Sequence, residues 1–490
     1  MITVDKFLSR SLQKDATAII FQKEKTSFRE LDIFSSYFAS QLLSSNLNKN
    51  SRIAIFAYNS LALVISYLAI FKTGATVVPV NTRFKSSELA FVLKDCEISH
   101  LIIDEKLKPI FDTIKEQFGK ITIFDIADAL NTPHSFALPE ANVNDNDIAC
   151  ILYTSGTTSK PKGVIHTNQS LFNTVINQIE TLQYNNNDHV LVSLPMCHIA
   201  GFAGQMLTTL YVGGCLNLIE HYDPRTILHV LARYPVTHLM LIPYQISELL
   251  DVSESENVSL SSIKVCLAGG DKIPLELHRR FYQLTGKNIS ECCGMTESFS
   301  YAIHYPVTPT KLGSIGKAAH GTQIKIINSN NTNAKLKETG EILVKSRANA
   351  IGYWNNQLAT TALLANGWLH TGDLAYRDED GYYWFMGRKK EIIIRGGSNI
   401  APQEVEDIIY LHHAVKEAGV FGYPDKKFGQ IVYAFVVTKS DRAVSEADLR
   451  QFIMQYLANY KVPERIFFAR ELPHNSLGKL ERHKLEKLID

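Results

Sequence analysis

A strand-like apolar stretch, residues 148–153, runs straight into Thr154-Ser-Gly-Thr-Thr-Ser-Lys-Pro-Lys-Gly163. Those ten residues carry five hydroxyls, two glycines and two lysines. Glycine lets backbone approach a ligand closely, and free N–H groups with hydroxyls form a cradle for an anion such as phosphate. The same composition also suits a surface loop. GxxxxGK[ST] is absent, and Gly478-Lys479-Leu480 lacks the hydroxyl that would hold magnesium, so a P-loop NTPase is disfavoured. Glu297 follows Gly294-Met-Thr296. A carboxylate beside phosphate repels the ligand unless it holds Mg2+, which prefers hard oxygen ligands; a helix N-terminal Glu is the plainer reading. Asp373, in Thr371-Gly-Asp373, can accept from two hydroxyls at once, or simply make a turn. On their own, Lys479 reads as solvated surface, His198 as core, and Gly396-Gly397 as a turn.

Composition narrows the class. With 490 residues, 45% hydrophobic and 20% charged, the chain suits a globular protein that buries a large core without staples. Lys+Arg number 50 against 49 Asp+Glu, which gives no electrostatic reason to expect nucleic acid or an anionic membrane. The seven cysteines include no CxxC pair and suit neither zinc nor a disulfide framework; they read as reduced thiols of a cytosolic protein. No signal peptide, prenylation or peroxisomal signal is visible, and the longest apolar run, 61–71, is too short to span a bilayer.

The elements that must position these residues alternate. Apolar strands are predicted at 52–57, 76–80, 99–103, 148–153, 190–193, 216–219 and 237–241, with helices at 61–73 and near 87–94. Such alternation implies βαβ units, mostly parallel sheets, and ligands at the carboxyl ends of strands. Beyond a basic stretch ending near Lys390 lies a separate unit: a helix at 403–411, strands at 418–421 and 431–437, and a helix opened by Ser445 with Asp448 three residues on, which resembles a capping box. The expected fold is α/β, with a large N-terminal domain at 1–387, a hinge at 388–390 and a small α+β domain at 391–490.

Seven segments, taken in order, resemble the adenylate-forming superfamily of acyl-CoA synthetases, peptide-synthetase adenylation domains and beetle luciferases. They are Tyr153 to Gly163, Leu194-Pro-Met-Cys-His-Ile-Ala-Gly201, Ala268-Gly-Gly-Asp271, Cys293-Gly-Met-Thr-Glu297, Gly367-Trp-Leu-His-Thr-Gly-Asp373, Gly387-Arg-Lys-Lys-Glu391 with Gly396-Gly-Ser-Asn-Ile400, and Leu472-Pro-His-Asn-Ser-Leu-Gly-Lys479. Residues 72–81 also resemble the family's N-terminal region.

The resemblance implies an AMP-forming acid–CoA ligase using ATP, Mg2+ and coenzyme A. A carboxylate attacks the α-phosphorus of ATP and expels pyrophosphate; a thiol then attacks the acyl-adenylate and expels AMP. It implies Lys479 as the catalytic cation, Glu297 as the Mg2+ ligand and Thr296 beside the α-phosphate. Thr154, Ser155, Gly156, Thr157, Thr158, Lys162, Gly270, Asp271, Gly294, Met295, Asp373 and Arg388 would complete the nucleotide site. His198, Gly269 and Gly270 would border the acyl pocket, Gly396 and Gly397 the pantetheine tunnel, and Lys390 would be the hinge. One departure stands out: the family usually carries a tyrosine, stacking on adenine, where this chain has Cys293. The segments expected to line the pocket are mainly apolar and small. They favour a medium- or long-chain fatty acid, with an aromatic acid of benzoate or o-succinylbenzoate type as the alternative, or a stand-alone enzyme loading a carrier protein. A non-catalytic sensor is disfavoured because Lys479 and Glu297 are both present, and nothing beyond shared ancestry favours an oxygenase. The expected partners are small molecules, with a homodimer as an open option, in the cytoplasm.

Overall fold

The computed structural model describes residues 15–49, 51–131, 141–154, 161–256, 258–270, 273–439, 444–475 and 480–489. The expected alternation is there, with edges within a residue or two: Arg52–Phe56, Thr76–Pro79, His100–Ile103, His189–Val192, Cys215–Leu218 and His238–Leu241 are strands. Leu61–Thr73 is a helix buried on nearly every side, as an all-apolar helix must be. The Ser60 side chain accepts from Leu63 N at its start, and Gly74 ends it in the left-handed region at φ +76.

These strands build two sheets. In the seven-stranded one, Thr122–Asp125, His100–Ile103, Arg52–Phe56, Thr76–Pro79 and β1 (Ile148–Thr154) run parallel; β2 (Lys162–Thr167) turns back antiparallel on β1, and Gly352–Tyr353 closes the edge. The nine-stranded sheet is parallel through its middle up to β3 (Val265–Gly269) and β4 (Ser290–Met295), then turns antiparallel at β5 (Ser298–Ile303). The main core lies between the two sheets. There Ile53, Val77 and Leu152 of one sheet share a cluster with Val190, Leu216 and Leu267 of the other, and Phe38, Leu63 and Leu171 come from intervening helices. Each such side chain, removed from water, contributes about 1.5–3 kcal/mol.

A third sheet, of four strands and wholly antiparallel, went unanticipated. It joins Thr322–Ile327, Gly340–Ser346, β6 (Leu369–Arg377) and β7 (Tyr383–Arg388). It ends at Arg388, and a new sheet begins at Ile393. That last sheet centres on Gly429–Thr438, which pairs antiparallel with Val415–Asp425 and parallel with Arg465–Phe468. Helices Pro402–Tyr410 and Glu446–Met454 pack on it. Ser445 caps the second of these, accepting from Asp448 N at 3.1 Å. All seven cysteines are free, and six are buried. Among the described residues no helix is long and apolar enough to cross a membrane.

Candidate active site

The β1–β2 hairpin brackets the hydroxyl-rich loop. Tyr153 pairs with Gly163 and Thr154 with Lys162, so the loop leaves and rejoins the sheet at one point. Gly163 has to be glycine: a Cβ there would lie 2.8 Å from Ile151 Cγ2 and 3.2 Å from Trp354 Cβ. Ser155, Gly156, Thr157 and Thr158 lie outside the described residues, as do Asp271 and Lys479.

Lys162, at the loop's far end, places its ammonium over the Tyr353 ring, 5.2 Å from the centroid. The Tyr353 hydroxyl donates to Glu297 Oε1 at 2.5 Å. Burial and the Glu297 charge push the Tyr353 phenol well above its usual range, so it stays a donor. One tyrosine thus couples the phosphate-loop lysine to the expected magnesium ligand. Glu297 is 6% exposed. Its turn, between β4 and β5, is held twice more: Ala350 N donates to Glu297 O at 2.8 Å, and His166 Nε2 lies 2.8 Å from Thr296 O. A carbonyl can only accept, so His166 carries its proton on Nε2, and burial lowers its pKa to about 4, keeping it neutral. Gly294 lets the hairpin close, because a Cβ would sit 2.3 Å from Ser300 N.

The second group of predicted residues meets near Cys293, two residues before the end of β4. Asp373 on β6 and Arg388 on β7 are register partners, and Arg388 Nε lies 3.2 Å from Asp373 Oδ1. The Asp373 charge holds the Arg388 pKa above its usual value. The Tyr301 hydroxyl donates to Asp373 Oδ2 at 2.8 Å, and Cys293 Sγ lies 2.9 Å from that hydroxyl. Cys293, at the position where the family usually carries a tyrosine, is thus linked to Asp373 through the Tyr301 hydroxyl. β4, from Cys293 to Met295, links the two groups.

Other predicted residues sit apart. Gly269 is explained by packing, since a Cβ would meet Cys292 Sγ at 2.7 Å; Gly270 adopts φ +91. His198 is half-buried just ahead of a π-helix, Ala200–Leu207, a form concentrated at functional sites. Gly396 and Gly397 turn a hairpin of the small sheet with φ +55 and +84, and Gly396 N bonds Phe428 O. Lys390 lies between the third and fourth sheets. The residues flanking Lys479 do reach the large unit: His474 and Tyr244 rings lie 6.3 Å apart, and Arg83 Nη1 is 3.5 Å from Asn475 O. Tyr301, Tyr353 and His166 carry no motif of their own, and residue type alone did not mark them. For Tyr301 the one available signal was its place at the end of the 293–301 stretch, expected to line the acyl pocket.

A carboxylate for a metal, a lysine beside a hydroxyl-rich loop and a carboxylate–arginine pair suit a nucleotide triphosphate. Residues 9–354 match the model of the AMP-binding enzyme family, and residues 404–479 match the AMP-binding enzyme C-terminal domain. The chain belongs to the AMP-binding enzyme family. It is 34% identical over 489 residues to a 2-succinylbenzoate–CoA ligase of Geobacillus sp. (strain WCH70), covering 98% of this chain and 96% of that one. It is 32% identical over 517 residues to a long-chain-fatty-acid–CoA ligase of Bacillus subtilis (strain 168), covering 96% and 91%. Among solved structures it is similar to the o-succinylbenzoate CoA synthetase (MenE) of Bacillus subtilis in complex with the acyl-adenylate intermediate OSB-AMP, with TM-score 0.89, 31% identity and 98% of each chain covered. Within the AMP-binding family this chain is an AMP-forming acid–CoA ligase, and its cofactors are ATP, Mg2+ and coenzyme A. On the acid, these relatives favour the aromatic alternative over the fatty acid expected first.

Proposed function

We propose that this AMP-binding enzyme activates an aromatic carboxylic acid of the succinylbenzoate type. The observation that carries the reading is full-length similarity to 2-succinylbenzoate–CoA ligases. Two local features support it. Phe299, 7% exposed, fills the space against the π-helix so closely that a Cβ on Gly204 would lie 2.5 Å from its ring. A wall plugged by an aromatic ring suits a compact acid better than a long chain. Next to it, Ser300 holds a left-handed φ of +47, and its hydroxyl, 3% exposed, has no hydrogen-bond partner among the described residues. Strain of this kind concentrates at functional sites, and such a hydroxyl suits a polar substituent.

In this reading Lys479 bridges the acid's carboxylate and the α-phosphate, a preorganised cation where charge develops. Glu297, oriented by Tyr353, would hold Mg2+ through a hard carboxylate oxygen, and the ion would offset phosphate charge there. Asp373, an acceptor on both carboxylate oxygens, accepts from the ribose hydroxyls. The acid enters already ionised at neutral pH, so no general base is needed and His198 borders the pocket instead. For the second step, the small unit turns about Lys390, in the break between sheets at Arg388 and Ile393. Gly396 and Gly397 then line the path of the thiol arm.

A panel of 2-succinylbenzoate, indole-3-acetate, decanoate and palmitate, scored by AMP release with and without coenzyme A, tests the assignment. The aromatic acids should show the highest kcat/KM and form thioesters on free coenzyme A. Preference for palmitate would return the substrate to the fatty acids; release of AMP without thioester on free coenzyme A would point to a carrier protein.

A further inference from the structure

We propose that Tyr301 is a positioning residue for ribose recognition, and that Cys293 and Tyr301 form one unit that sets the Asp373 carboxylate. The proposal rests on the nucleotide site described above and adds two residues to it. Cys293 on β4 pairs with Ala302 on β5, so its thiol and the neighbouring Tyr301 hydroxyl meet at 2.9 Å. Tyr301 is 1% exposed, and the Asp373 side chain 2%.

Donor arithmetic orders the contacts. A phenol has one proton to give, and an ionised carboxylate can only accept. Tyr301 therefore gives its proton to Asp373 Oδ2 at 2.8 Å. The contact between thiol and phenol must then run the other way, with the Cys293 S–H donating to the Tyr301 oxygen. Burial pushes both the phenol and the thiol well above their usual ranges, so neither donor ionises near neutrality. The chain reads Cys293 to Tyr301 to Asp373, and Arg388 holds the other carboxylate oxygen at 3.2 Å. The Tyr301 hydroxyl bonds one carboxylate oxygen and the Arg388 charge flanks the other, so the carboxylate is held in a set orientation toward a vicinal diol. Without Tyr301 the carboxylate loses the hydrogen bond to Oδ2, and rotation about the terminal torsion of an Asp is soft.

The same geometry accounts for residue type at 293. With the sulfur already 2.9 Å from the hydroxyl, a longer side chain in the same rotamer would collide with it. In this chain a ring on the return strand occupies the space and reaches Asp373.

The test measures calorimetric affinity for Mg-ATP, Mg-2′-deoxy-ATP and Mg-3′-deoxy-ATP, with no acid or coenzyme A present. Tyr301→Phe keeps the buried ring and deletes only the hydroxyl. It should weaken ATP binding at least about tenfold, the scale of a hydrogen bond to a charged group, and narrow the preference for ATP over both deoxynucleotides. Cys293→Ala should shift both readouts the same way by less, and Cys293→Ser should restore them; this pair keeps the test decisive if the tyrosine variant fails to fold. Wild-type affinity and wild-type discrimination in Tyr301→Phe and Cys293→Ala, even with reduced stability to urea, would reduce the network to packing and overturn the proposal. A wild-type enzyme that binds no ATP would instead sink the nucleotide reading itself.

Discussion

Replacing Tyr353 with Phe isolates one hydroxyl. The Phe ring keeps its packing and its place under Lys162, whose ammonium lies 5.2 Å from the ring centre. What is lost is the 2.5 Å bond to Glu297 Oε1. Glu297 is 6% exposed, so water replaces that donor poorly. Hydrogen bonds to charged groups contribute about 1.5–3 kcal/mol, and leaving a buried carboxylate short of a donor costs in the same range. At about 1.4 kcal/mol per decade, the deficit corresponds to roughly 10–150-fold in whichever equilibrium bears it. Part should appear as lower resistance to urea. The rest should appear in use of magnesium, because a carboxylate with one oxygen untethered is less well aimed at the cation. ATP–pyrophosphate exchange titrated with Mg2+ reads the second part directly: half-saturation should move to higher Mg2+, with partial recovery of rate at saturating metal. If stability falls but the Mg2+ titration and exchange rate stay within about twofold of wild type, the hydroxyl braces the fold only, and the coupling of Lys162 to Glu297 through Tyr353 is wrong.

Lys479→Ala should lower adenylate formation at least about a hundredfold, the effect of deleting one preorganised transition-state donor, and exchange near the wild-type rate would refute its role. Gly397→Leu should slow thioester formation while sparing exchange; its φ of +84 adds about 1–2 kcal/mol of backbone strain for any L side chain, so urea stability is measured alongside, and equal loss of both half-reactions would dismiss the tunnel assignment. His166 and His304 are both lowered by burial to about 4, whereas the unfolded chain titrates near 6.5. Between those values the unfolded state binds more protons, so stability should be full above about pH 6.5, decline as pH falls, and stop declining from this cause near pH 4. Urea midpoints across pH 4–7.5 check this, and a His166→Gln variant with an unchanged slope would remove His166 from the account.

Much of this molecule was legible because its signals are local. Apolar runs such as Arg52–Phe56 and Thr76–Pro79 are fully buried parallel strands, and an uninterrupted apolar run is what such burial writes into sequence. Gly74 and Ser445 marked helix ends through backbone and side-chain chemistry local to a few residues. Motif residues such as Glu297, Asp373 and Arg388 were visible by resemblance. The antiparallel third sheet was not, because its strands read half-exposed, as in the mixed pattern of Thr322–Ile327, and that pattern is weak between loops. Tyr353, and the bond from Tyr301 to Asp373, were missed for a different reason. Each acts across a long sequence gap, 56 residues to Glu297 and 72 to Asp373, so only the folded register brings donor and acceptor together.

The free cysteines also bear on how motion in this enzyme can be watched. Burial pushes the thiols of Cys96, Cys197, Cys215 and Cys266 up to about 12, leaving on the order of one molecule in 100,000 as reactive thiolate at neutral pH. A maleimide dye added to the native protein should therefore ignore them and select an engineered surface cysteine. One such cysteine on the helix Pro243–Glu256 and one on the helix Glu446–Met454 would give a fluorescent ruler between the two units, with the native thiols left in place.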